Sequence, residues 1–119
     1  MSRHAEIWLI TEGGRKKLGQ FIRETRKGYG FSQDDLIEVI HWLTGHRIGK
    51  ATLSALERGN VKPQWDTLAI LAASGRFKNA RTYMPFTAEE LFAIACERID
   101  PGLPQEARGE LSKQEHPNG

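Results

Sequence analysis

Apolar positions recur at three- and four-residue spacings through most of this chain, the pattern of helices that each bury one face. From Thr11, a fitting N-cap, the residues Leu18, Phe21, Ile22 and Thr25 give a first helix one apolar face up to about Lys27. Gly13 and Gly14 weaken its first turn, so a start nearer Arg15 is the alternative. Gly28-Tyr29-Gly30 breaks the pattern, and Ser32 opens a second helix with Asp35 three positions on, the S-x-x-D form of a capping box. Leu36, Ile37, Ile40 and Leu43 form its inward stripe, and Thr44-Gly45 ends it. Gly49 serves as N-cap for a third helix with Leu53 and Leu56 inward and Gly59 as its stop.

After Asn60 to Pro63 the spacing predicts a fourth helix from about Trp65 to Ser74, with Leu68, Leu71 and Ala72 on one side and Gly75 at its end. A basic loop, Arg76 to Phe86, leads to a second capping box, Thr87-x-x-Glu90. Leu91, Phe92, Ala95, Cys96 and Ile99 then predict a fifth helix from about Ala88 to Ile99, ended by Pro101. Ile7-Trp8-Leu9-Ile10 is too short to assign as helix or strand and is expected to pack onto the domain. The chain therefore divides into an apolar extension (1–10), a helix-turn-helix domain (11–75), a loop and C-terminal helix packed on it or at a dimer interface (76–100), and a polar, flexible tail (101–119).

Length and composition narrow the picture. At 119 residues, 39% hydrophobic and 27% charged, the chain suits one folded domain with a real core. The net charge is +2, yet residues 1–62 hold 11 Lys/Arg against 7 Asp/Glu while residues 63–119 hold 6 against 8. The basic half is the half with the helix-turn-helix pattern, which suits an anionic partner. A single cysteine, Cys96, sits among apolar neighbours and reads as a buried, inert side chain, with a redox role as the weaker reading. Neither a secretory signal nor a membrane span is evident in the apolar runs, so a cytoplasmic, nucleoid-associated location is expected.

Phe31 to Pro63 reads as two short helices joined by a turn and closed by a glycine, a layout that makes double-stranded DNA the leading ligand. A major groove about 12 Å wide admits one helix, held so that its first turn points at base edges. Here that helix is Lys50 to Arg58. Leu53 and Leu56 anchor its back, leaving Lys50, Ala51, Thr52, Ser54 and Ala55 in front. Lys50 can donate to guanine or to a phosphate, and Thr52 can bond either. The alanine methyls can touch a thymine methyl, or are present for helix propensity alone. Arg58, Asn60 and Lys62 lie in a segment expected to follow the phosphate backbone.

Leu18, Ile22 and Arg26, then Ser32-Gln33 with Leu36, then Thr52 to Gly59, with Pro63 and Leu68, together resemble the phage repressor and Cro type of helix-turn-helix, the Xre-like family. The resemblance implies an all-α, four- to five-helix lambda-repressor-like domain, with Lys50, Ala51 and Ala55 at positions that reach bases. It also implies that Gln33 clamps a phosphate at the start of the second helix, against the plainer reading of a solvated amide, and that Glu57 pairs with Arg26. The chain departs from the compact pattern between Ile40 and Ile48, which holds on the order of two extra helical turns. We read HWLTGHR as an extension of the second helix to about Leu43 and a lengthened turn, placing Trp42, His46 and Arg47 near the DNA side or a partner.

Other chemistry is weakly signalled. His4, His41, His46 and His116 are scattered without a completing Cys or acidic cluster, so no metal and no cofactor is expected. No phosphate loop, nucleophile elbow or carboxylate pair stands out, so no enzymatic role is expected. Trp42, Trp65, Phe77, Tyr83 and Phe86 either fill the core or form a protein interface, and Arg76, Lys78 and Arg81 are solvated or touch flanking phosphate. The resulting expectation is a sequence-specific transcriptional regulator, homodimeric through the fifth helix or the IWLI segment. The alternative is an antitoxin-like or phage-encoded adaptor that keeps the helix-turn-helix but binds a protein through the aromatic C-terminal region.

Overall fold

A computed structural model describes residues 6–102, and the only regular elements among them are five helices. They are α1 (Glu12–Gly28), α2 (Gln33–Thr44), α3 (Lys50–Glu57), α4 (Trp65–Ala73) and α5 (Ala88–Ala95). No helix among the described residues is long and apolar enough to cross a membrane. His4, His116 and the tail from residue 103 onward lie outside the described residues.

The helix boundaries follow local chemistry. The Thr11 side chain accepts from Gly14 N at 2.8 Å, so α1 starts at Glu12 and not near Arg15. Packing explains the second of the two glycines there: a Cβ on Gly14 would stand 1.8 Å from the Ala95 carbonyl oxygen. Ser32 and Thr87 close full capping boxes with Asp35 and Glu90, and Gly45 takes a left-handed φ of 78° to end α2. Leu18, Ile22, Leu36, Ile40, Leu53, Leu68, Leu71, Leu91 and Ile94 form one continuous core, with α1 packed against α3 and α5, and α2 and α5 against α4.

Two sequence expectations need correction. Leu43 is 37% exposed and not part of the inward stripe of α2; the next core residue along the chain is Ile48, from the turn. The fifth helix ends at Ala95, well before Ile99. Glu97 turns left-handed at φ 58°, and Arg98 N donates back to the Ala93 oxygen at 2.9 Å, terminating the helix without help from Pro101.

The basic loop is a small hairpin-like turn: Phe86 N donates to Phe77 O at 2.8 Å and Asn79 N to Met84 O at 2.9 Å. Phe77 and Phe86 are buried edge-on against Phe21, whereas Trp42 and Tyr83 are 82% and 75% exposed and Trp65 is half exposed. The N-terminal segment packs only in part. Ile10 joins the core and Trp8 lies under the Arg98 guanidinium, but Ile7 and Leu9 face outward.

Candidate nucleic-acid interface

The turn between α2 and α3 begins and ends with glycines, Gly45 and Gly49, and carries Ile48 into the core. This places the start of α3 in the open beside the start of α2. Leu53, Leu56 and Glu57 form the buried side of α3. Behind them α1 comes very close: a Cβ on Gly19 would stand 2.3 Å from the Leu56 oxygen. Arg15 Nε donates to the Gly59 carbonyl at 3.1 Å, securing the end of α3 to the same helix.

Glu57 holds three helices together. Arg26 of α1 grips it in bidentate fashion, Nε to Oε2 at 2.7 Å and Nη2 to Oε1 at 2.9 Å, and spends its third nitrogen on the Phe31 carbonyl. Hydrogen bonding to the Glu57 carboxylate holds the Arg26 guanidinium above its ordinary pKa. Gln33, the first residue of α2, donates Nε2 to Glu57 Oε1 at 3.1 Å. Gln33 is thus no loose surface amide. A primary amide has two N–H donors, so this bond orients the side chain and leaves one donor free.

The outer side of α3 presents Ala51 and Thr52 exposed, with Ser54 and Ala55 half-buried. Ala51, Thr52 and Ala55 face a groove of about 350 Å³ shared with Lys62, Gln64 and Thr67. Asn60 and Lys62 are exposed just beyond, and Arg58 donates to the Ser54 hydroxyl. Of the expected front residues, Ala51, Thr52 and Ala55 therefore share one outward groove, while Ser54 is half-buried and bonded to Arg58.

Sequence reasoning missed the acids beside this ridge. Lys50 Nζ lies 3.2 Å from Asp34 Oδ2, and Arg47 forks onto Glu38 while also meeting His41 Nδ1 at 3.1 Å. Hydrogen bonding between Arg47 and Glu38 raises the pKa of the guanidinium and lowers that of the carboxylate. Asp34 falls within reach of Lys50 because the turn between Gly45 and Gly49 brings the start of α3 beside the start of α2, a juxtaposition that spacing alone does not reveal. No group of three or more His, Cys, Asp or Glu side chains placed to hold a metal occurs among the described residues. No protein-family model, curated protein or solved structure matches the chain.

Proposed function

We propose that this protein is a sequence-specific DNA-binding regulator of lambda-repressor-like, Xre-type architecture that lays α3 in the major groove and acts as a homodimer on a two-fold related site. The observation that carries the proposal is the division of labour on α3. Leu53, Leu56 and Glu57 are spent on the scaffold, while Ala51, Thr52, Ser54 and Ala55 lie on the outer side of the same helix. A short helix held rigidly by one side and small on the other fits a groove about 12 Å wide.

Readout on this surface divides in two. Lys50 and Thr52 supply polar contacts to base edges or phosphates, and the methyls of Ala51 and Ala55 allow close approach or meet thymine methyls. Gln33, Arg47, Arg58, Asn60 and Lys62 surround the ridge with donors suited to phosphate oxygen. With only one cation on the ridge itself, much of the discrimination falls to DNA shape and deformability.

Selection from a random duplex library tests the reading. Enrichment of a palindrome, weakened by Lys50→Ala and Gln33→Ala, is the expected outcome, and failure to retain any duplex at low salt overturns it. The adaptor reading draws support from one observation, the outward-facing Trp42 and Tyr83. Phe77 and Phe86 belong to the core and offer nothing to a partner.

A further inference from the structure

On the other flank of α3, a second cleft opens between its C-terminal end and α1. It has a volume of about 700 Å³ and is lined by Lys16, Gln20, Arg23, Lys27, Arg58 and Asn60, with Glu24 and Glu57 alongside. The α1 contributors recur at positions 16, 20, 23 and 27, one stripe of a helix.

The charges in this cleft differ in state from those on the reading ridge. Lys50 and Arg47 each have a carboxylate partner, whereas no ion pair engages Arg23, Lys27 or Arg58 among the described residues. Of the two acids present, Glu57 is neutralised by Arg26, while Glu24 meets only a neutral amide and keeps its charge. Glu57 is held by Arg26 and Gln33, and Glu24 Oε2 accepts from Gln20 at 2.8 Å. Lys16 has a loose, exposed contact with Glu12 at 3.4 Å. Lys16, Arg23, Lys27 and Arg58 outnumber the cleft's acids, Glu24 and the Arg26-paired Glu57, and so make a surface of net positive potential, to which the side-chain amides of Gln20 and Asn60 add neutral donors.

We propose that this cleft binds backbone phosphates of the same DNA whose major groove receives α3, with Arg23, Lys27 and Arg58 as the contacting cations. The proposal rests on the DNA-binding reading and extends the footprint from the recognition ridge onto α1. These contacts add affinity and fix register but read no bases, since phosphates carry no sequence information directly.

The test is the salt dependence of duplex binding by the full chain, followed by fluorescence anisotropy. Each phosphate contact contributes about 0.9 to the slope of log K against log salt. The double variant Arg23→Gln/Lys27→Gln is expected to lower that slope by about 1.8 per bound protomer, about 3.6 for the dimer, and to weaken all duplexes alike. Lys17→Gln, which removes a charge from another face of α1 where it meets Glu97 and Asp100, is expected to leave the slope unchanged. Both sets of side chains are exposed, so circular dichroism should report an intact fold.

A wild-type chain that binds duplex with a slope the double variant preserves overturns the cleft proposal alone. A wild-type chain that binds no duplex at low salt overturns the DNA-binding reading together with it. Titration with tripolyphosphate, monitored through the Gln20 and Asn60 side-chain amide resonances, separates the two sources of phosphate. Shifts with tripolyphosphate but none with duplex assign the cleft to a free polyanion and reject the DNA backbone as its occupant.

Discussion

Arg26 and Glu57 meet in a bidentate ion pair that ties α1 to the last residue of α3, with side chains 12% and 4% exposed. Removing one partner strands the other charge away from water, a loss of about 3 kcal/mol for buried pairs. Arg26→Ala should therefore lower the midpoint of urea unfolding markedly, and by more than it weakens DNA contact. An unchanged midpoint would show that the pair is energetically idle. Replacing both residues by apolar side chains of similar volume should recover much of the loss.

Gly19→Ala sets two effects against each other. Alanine gains about 1 kcal/mol of helix propensity over glycine. Its methyl, however, would stand 2.3 Å from the Leu56 oxygen and 2.6 Å from the Glu57 oxygen, both backbone atoms with no freedom to swing away. Overpacking of this kind costs about 1–3 kcal/mol or more, so the variant should melt lower than the wild type. A higher melting temperature would show that α1 and α3 can separate at no cost.

The framework of the fold was readable because it is written in local chemistry. Ser32 with Asp35 and Thr87 with Glu90 close the boxes that their spacing predicts, and Leu53 and Leu56 turn inward as their period requires. What escaped was set by distant neighbours. Gly13-Gly14 reads as a weak start to a helix until the Ala95 carbonyl is seen lying against Gly14. Ile99 continues the apolar period of α5, yet the left-handed turn at Glu97 takes it out of the helix. At the candidate site the exposure of Ala51 and Thr52 on α3 was legible, whereas the Asp34 and Glu38 partners and the α1 cleft depend on how the turn between Gly45 and Gly49 and α1 come to lie beside α3.

Acid should weaken the α2 cap. The Asp35 carboxylate accepts from Ser32 N at 2.9 Å, and these bonds to Ser32 hold its pKa below the ordinary 3.8. A depressed folded pKa means that the stabilisation is complete above the unfolded value and is lost as the pH falls through the folded one. Between pH 6 and pH 3, the melting temperature should fall further for the wild type than for Asp35→Asn. Equal losses would remove this carboxylate from the acid response.

Asp34→Asn should tighten duplex binding several-fold at low salt. The change frees Lys50 from its 3.2 Å partner and removes a negative charge from the surface that would face phosphate. Lys50→Ala should act in the opposite direction. Weaker binding by Asp34→Asn, measured by anisotropy, would place the ridge away from the nucleic acid.

Cys96 should resist thiol reagents in the native state. It is buried, and that burial pushes its thiol pKa upward, so the reactive thiolate is scarce as well as hidden. Labelling should therefore track the opening of the α5 end and accelerate in mild denaturant. Native labelling as fast as that of a free thiol would contradict its placement.

The side chains of α3 that would meet bases are also the ones the scaffold does not need. Ala51, Thr52 and Ala55 sit outside the core, whereas Leu53, Leu56 and Glu57 carry the packing and the ion pair. Mutation can therefore vary the three exterior positions while folding is judged at the three others. Under the DNA-binding reading proposed above, a chain built this way can change allegiance to a new operator by small steps, each leaving a stable protein behind.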